Sequence, residues 1–269
     1  MSHLSRAAGA FASLALVVPA LAGSTASAAP AQPVDLDALG DSYASGFGVP
    51  PYEACGQSQA APAVQLDGRK KIVLDDFVAC AGATTTSLVA GGQLEALDED
   101  TDLVTLSIGG NDVGWSGAVA ACLGGTDQQC AGVLALTTDR VANQLPGLLG
   151  SVYAQISDAA PDAQVVVTGY PQLFSPEHGA FLAASLAEQH ALNDGADLLN
   201  AVIAEAASAH GFDFVDVTQR FQGHGVNAPD PWILGPFDPG AFHPDADGYE
   251  TYAAALTAAI NPSGRRSSR

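Results

Sequence analysis

Four short segments of this 269-residue chain carry groups able to do chemistry. Gly40-Asp41-Ser42-Tyr43 places a hydroxyl beside a glycine that permits close backbone approach. Taken alone, Ser42 or Asp41 serves equally well as a helix N-cap. Cys80-Ala81-Gly82 offers a backbone N–H at Gly82, and Gly109-Gly110-Asn111-Asp112 offers a side-chain N–H at Asn111. Asp238-Pro239-Gly240-Ala241-Phe242-His243 adds an imidazole near the C-terminal end. A hydroxyl, a base and two or three N–H donors form the set that acyl transfer from an ester requires: a nucleophile, its proton acceptor and a cradle for the developing oxyanion.

These segments are far apart in the chain, so regular elements must bring them together. Short apolar runs predict strands at Val34–Leu39, Ile72–Leu74 extending toward Val78, Leu103–Ile108, Gln164–Thr168 and Phe212–Val217. Amphipathic or alanine-rich stretches predict helices over Thr85–Leu97, Leu134–Ala159, Ala180–His210 and Asp247–Ile260. This alternation implies an α/β domain, a parallel sheet with helices on both faces. Ligands of such sheets gather at the carboxyl ends of the strands, where three of the four segments fall.

The chain resembles the GDSL or SGNH hydrolases, and more closely their secreted actinobacterial lipase and esterase branch. The resemblance rests on GDSYASG-G at 40 to 48, CAGATTTS at 80 to 87, SIGGNDVGW at 107 to 115, GYPQLF at 169 to 174, GHGVNAPDPWI at 223 to 233 and FHPDADGY at 242 to 249, all in the family's order. It implies a three-layer α/β/α, flavodoxin-like fold with a central five-stranded parallel sheet ordered 2-1-3-4-5, and no cofactor or metal. By matching position it implies Ser42 as nucleophile, His243 as general base, and the Ser42 N–H, Gly82 N–H and Asn111 side chain as oxyanion hole. The implied substrate is a small-molecule or lipid ester, with phospholipid acyl chains or polysaccharide acetyl groups on the same site as alternatives and a non-catalytic lipid- or carbohydrate-binding protein as the alternative of another class, and the implied state is a monomer.

Two departures from that pattern bear on mechanism. The family usually places an aspartate three residues before the histidine, where this chain has Gly240. A backbone carbonyl of Gly240 or Ala241 is the expected partner of the imidazole, with the Asp238 side chain as the alternative. The branch also often carries a third disulfide with a cysteine near the segment where this chain has Asn227. The loop before His243 is therefore expected to be freer.

The four cysteines permit three pairings, of which Cys55 with Cys80 and Cys122 with Cys130 close short local loops. Disulfides fit the export implied by the N-terminus, where Arg6, an apolar stretch from Ala7 to Ala22 and Ala26-Ser27-Ala28 form a signal peptide over residues 1–28. A single hydrolase domain over 29–262 and a disordered tail over 263–269 complete the expected organisation. No other segment has the roughly 18 consecutive apolar residues of a membrane span, so no stable membrane insertion is expected. A net charge of −20 opposes nucleic-acid binding.

The remaining polar and aromatic residues have plainer readings. Asp112 is expected to cap or brace a loop, and Asp245-Ala246-Asp247-Gly248 lacks the further ligands of a calcium loop. His190 and His210 fall in a helical stretch as surface residues, while His178 and His224 fall in loops able to border a pocket. Trp115, Trp232 and Phe237 suit either an acyl groove or core packing.

Overall fold

The computed structural model describes Met1 and residues 32–261. Apart from Met1, the expected signal peptide, its cleavage point and the tail lie outside the described residues. Strands β1 (Val34–Gly40), β2 (Ile72–Phe77), β3 (Leu103–Ser107), β4 (Gln164–Thr168) and β5 (Asp213–Val215) form one sheet in the order β2-β1-β3-β4-β5, all pairs parallel. Every residue of β3 is buried, as are four of the five in β4, and these strands read as unbroken apolar runs because both faces are covered. Leu36, Leu39, Leu103, Leu106, Val166 and Val167 form the centre of the core.

Helices α1 (Ser42–Ser45), α2 (Pro62–Leu66), α3 (Thr85–Ala90), α4 (Trp115–Gly124), α5 (Asp127–Asn143), α6 (Leu145–Ala159), α7 (Leu186–Ala209) and α8 (Ala246–Ala259) surround the sheet. On one side α2 packs with α8, and on the other α4, α5, α6 and α7 pack together. Among the described residues no helix is long and apolar enough to cross a membrane.

Helix boundaries depart from the sequence expectation for identifiable reasons. The run expected from Leu134 to Ala159 is two helices divided at Gln144, because Pro146 lacks an N–H and is accommodated only in a first turn. The first of them starts earlier, at Asp127, behind a Thr126–Gln129 capping box. Helix α7 starts six residues later than expected, where Ser185 and Glu188 form another such box. The run from Thr85 stops at Ala90, since Gly91-Gly92 turns the chain with Gly92 at φ +81°, and a 3-10 turn over Gln93–Ala96 follows. The alanine- and glycine-rich α4 has no counterpart among the expected helices.

The disulfides join Cys55 to Cys80 and Cys122 to Cys130, as the local pairing anticipated. The second ties the last turn of α4 to the first turn of α5.

Candidate active site

The end of β1 is held by backbone contacts that only glycine allows. Gly40 lies at φ +127°, and a Cβ there would fall 2.4 Å from the Ser107 carbonyl oxygen at the end of β3. The carboxamide of Gln93 closes both polar groups of Gly40, accepting from its N–H at 2.7 Å and donating to its carbonyl at 3.0 Å. Asp41 N–H donates to Ser107 O at 2.8 Å. Its carboxylate then caps the single-turn α1, accepting from Tyr43 N–H at 2.9 Å. Ser42 follows as the first residue of that turn, where backbone N–H groups have no partner within the helix. Asp41 therefore takes the capping role that the sequence left open between these two residues.

His243 reaches Ser42 from the loop before α8. Its Nε2 lies 2.7 Å from Ser42 Oγ, and its Nδ1 lies 3.0 Å from Ala241 O and 3.3 Å from Gly240 O. Carbonyl oxygens only accept, so Nδ1 carries the proton and Nε2 is left to receive the serine O–H. Burial lowers the imidazole pKa below its ordinary 6.5, with the two carbonyls opposing that shift, so the neutral base is favoured.

Asp238 does not reach the histidine: its carboxylate accepts from Gly235 N–H at 2.8 Å and closes the turn before it. Nor could an aspartate at 240 be accommodated here. A Cβ on Gly240 would lie 2.3 Å from Gly48 Cα and 2.9 Å from Leu234 Cδ1, so the backbone has closed over the place a side chain would need.

On the other flank, Asn111 lines a cavity shared with Ser42 and His243. Its Nδ2 donates to Ala83 O at 2.9 Å, tying the β3 loop to the turn that carries Gly82. Gly82 itself is exposed, at φ +84°, and does not line that cavity. Its turn is fastened by the Cys55–Cys80 disulfide and by bonds from Cys80 N–H to Gly40 O and from Ala81 N–H to Cys55 O. Asp112 braces the same junction, with its carboxylate accepting from Thr85 N–H and, at 2.6 Å, from the Thr85 hydroxyl.

The sequence reading missed a network beneath the serine. Tyr170, just past β4, donates its hydroxyl to Asp41 Oδ2 at 2.6 Å and accepts from Gly110 N–H at 3.1 Å. One phenol thus connects the residue before Ser42 with the residue before Asn111. Asp41 is 1% exposed, and burial raises its pKa to about 7 against the hydrogen bonds from Tyr170 and Tyr43 N–H. Tyr43 donates to Phe242 O at 2.6 Å, and Tyr249 donates to Phe47 O at 2.6 Å. The available signal was a set of tyrosines beside the matched motifs, but which polar group each one meets depends on the fold.

The cavity, about 110 Å³, opens beside Ser42 and is walled by Trp115, Val119, Leu173, Leu199 and Phe242. Trp115 lines this cavity, whereas Trp232 packs on Phe221 and stacks on His224, and Phe237 is 89% exposed. His178, His190, His210 and His224 do not line the cavity.

Asn227 overturns the expectation of a freer loop. Its side chain accepts from Ser175 N–H at 2.8 Å and donates to Ser175 O, Gly179 O and Gln189 Oε1 at 3.0 to 3.1 Å. Here a polar clasp fastens that loop to the segment after β4.

Residues 38–251 match the model of the GDSL-like Lipase/Acylhydrolase family. Over 235 residues the chain is 38% identical to Lipase 1 of Streptomyces coelicolor, covering 85% of this chain and 87% of that lipase. The crystal structure of an extracellular lipase from Streptomyces rimosus superposes with a TM-score of 0.80 at 34% identity, covering 84% of this chain and all of that one. That of phospholipase A1 from Streptomyces albidoflavus superposes with a TM-score of 0.79 at 34% identity, covering 85% and 100%.

Proposed function

The chain belongs to the GDSL-like lipase/acylhydrolase family and is a carboxylic ester hydrolase, and from that premise we propose that Ser42 and His243 perform its chemistry through an acyl-enzyme. Ser42 Oγ attacks the ester carbonyl carbon as its proton passes to His243 Nε2. The oxyanion so formed is received by N–H donors from Ser42, Gly82 and the Asn111 side chain. Collapse breaks the bond to the alcohol oxygen, which leaves with the proton from His243. A water then attacks the acyl-enzyme by the same route, releasing the acid and restoring Ser42.

The observation that carries this reading is the 2.7 Å contact between Ser42 Oγ and His243 Nε2, with Nδ1 turned to two carbonyls. No carboxylate is needed behind the imidazole: the carbonyls hold the tautomer, and Nδ1–H remains their donor when Nε2 takes a proton. The apolar cavity favours the acyl side of an uncharged ester. Export behind a signal peptide cut after Ala28, and action as a monomer, belong to the same proposal. The extracellular lipase of S. rimosus supports the export.

The test is hydrolysis of p-nitrophenyl esters from acetate to palmitate, run beside Ser42→Ala and labelling with a fluorophosphonate. Expected are turnover by the wild type, covalent label on Ser42, and loss of both in the variant. A folded wild type that neither turns over nor labels would overturn the reading and leave a binding protein on a hydrolase scaffold.

A second reading, release of an acyl chain from phospholipids, is favoured by the likeness to the S. albidoflavus phospholipase A1. With a net charge of −20 the chain should act on zwitterionic vesicles in preference to anionic ones at low salt. An absence of phospholipid turnover beside active ester hydrolysis would remove this second reading alone.

A further inference from the structure

We propose that Gly195, a residue of α7 outside the cavity, sets the depth available to the acyl chain by fixing where the Trp115 indole lies. The inference rests on the hydrolase reading above and extends it to chain length.

The cavity lies between α4 and α7. Trp115 and Val119, one turn apart on α4, face Leu199, which is one turn beyond Gly195 on α7. An apolar cavity of roughly 150 Å³ accepts benzene. By that measure 110 Å³ seats about four acyl carbons.

Gly195 stands in the interior of a 24-residue helix, where alanine is the better helix former. Its reason is packing. A Cβ at 195 would lie 2.9 Å from Trp115 Cη2 and 3.1 Å from Cζ3, so the missing methyl is what lets the benzo edge of the indole rest on the backbone of α7.

With a methyl present, the tip of the indole must move, and its neighbours choose the direction. Leu134 of α5 lies on the same side, its Cδ1 3.6 Å from that Cβ, and is itself buried. Helix α4 cannot retreat as a body, because Cys122–Cys130 ties it to α5 and α5 packs on α7. The indole lines the cavity, and its displacement is taken up there. Gly195→Ala therefore shortens the acyl site without touching Ser42, His243 or Asn111.

The experiment measures kcat/KM for p-nitrophenyl esters from acetate to palmitate in the wild type, Gly195→Ala, Trp115→Phe and the double variant, reading the ratio of hexanoate to acetate. Excluding one methylene from an apolar pocket is worth on the order of tenfold. In Gly195→Ala the ratio is expected to fall about tenfold. In Trp115→Phe, which lacks the atoms that meet residue 195, preference moves toward longer chains. In the double variant the alanine then has no further effect, a non-additivity that general destabilisation does not produce.

A Gly195→Ala profile parallel to that of the wild type, one moved toward longer chains, or an equal effect of the alanine in the Trp115→Phe background would overturn the proposal while leaving the hydrolase reading intact. If Gly195→Ala fails to fold, an unchanged profile in Trp115→Phe overturns it as well. A wild type that turns over no ester removes both readings.

Discussion

The two halves of the candidate dyad are held in opposite ways. Beneath Ser42, side chains from separate elements converge: Asp41, Tyr170 and the Gln93 carboxamide, linked on to Gly110. Around His243 the backbone does most of the holding. Carbonyls of Gly240 and Ala241 face Nδ1, Leu234 N–H donates to His243 O, Phe242 N–H donates to Leu234 O, and Ile233 bridges to Pro244. Side-chain support is open to point mutation and to pH, whereas a carbonyl persists whatever residue carries it. The nucleophile side should therefore be the fragile half and the imidazole side the tolerant one, except at Gly240, where a Cβ has no room, and at His243 itself.

The largest effect tests the exception at His243. His243→Ala should lower kcat by about 10⁶, since removing the base of such a unit costs about as much as removing the nucleophile. Single-turnover kinetics with a p-nitrophenyl ester would show it, and a loss below a hundredfold would mean that another base serves Ser42.

Next comes Tyr170→Phe, which leaves Gly110 N–H without its acceptor and takes a donor from Asp41. A stability loss of about 1–3 kcal/mol is expected, because the buried Asp41 carboxyl loses a partner. A fall of roughly tenfold in kcat with little change in KM should accompany it, because Gly110 precedes Asn111 and the oxyanion forms only during reaction. Denaturant unfolding and steady-state kinetics check the two parts. An unchanged kcat would make the tyrosine purely structural.

The two halves also separate by pH. Activity should fall with acid through an inflection below 6.5, because protonated His243 cannot accept from Ser42. Asp41 acts on stability instead. Its folded pKa, about 7, lies above the ordinary 3.8, so its contribution is present below pH 3.8 and is lost as pH rises through 7. Asp41→Asn should remove that loss. Unfolding free energies of the two proteins compared at pH 4 and pH 8 would reveal it as a smaller decline in the variant.

The smallest effect is Asp238→Ala, expected to change kcat by less than about twofold, since its carboxylate closes a turn and the histidine faces carbonyls. A drop of several orders of magnitude in a folded variant would reinstate a carboxylate partner and erase the contrast.

Much of this was legible beforehand. Apolar strand runs preceding Ser42, Gly82 and Asn111 pointed to the carboxyl end of a parallel sheet as the place of the site, and the short loops between cysteines anticipated both disulfides. Helix ends were misplaced where capping boxes and Pro146 overrode amphipathic periodicity. The role of Asn227 was misjudged, because a missing cysteine says nothing of the hydrogen bonds an asparagine can form in its place.

Residue type and local order determined the sheet and its βα rhythm, because strand propensity and helix periodicity are local properties, while the expected nucleophile, base and oxyanion donors came from the resemblance of the motifs to a hydrolase family. Only the tertiary structure decided what stands behind His243, which phenol joins Asp41 to Gly110, and why residue 195 has no side chain. Each of those answers is a contact between segments distant in sequence, Gly240 against Gly48, Tyr170 against Asp41 and Gly195 against Trp115, and such distances exist only once the sheet has brought its strand ends together.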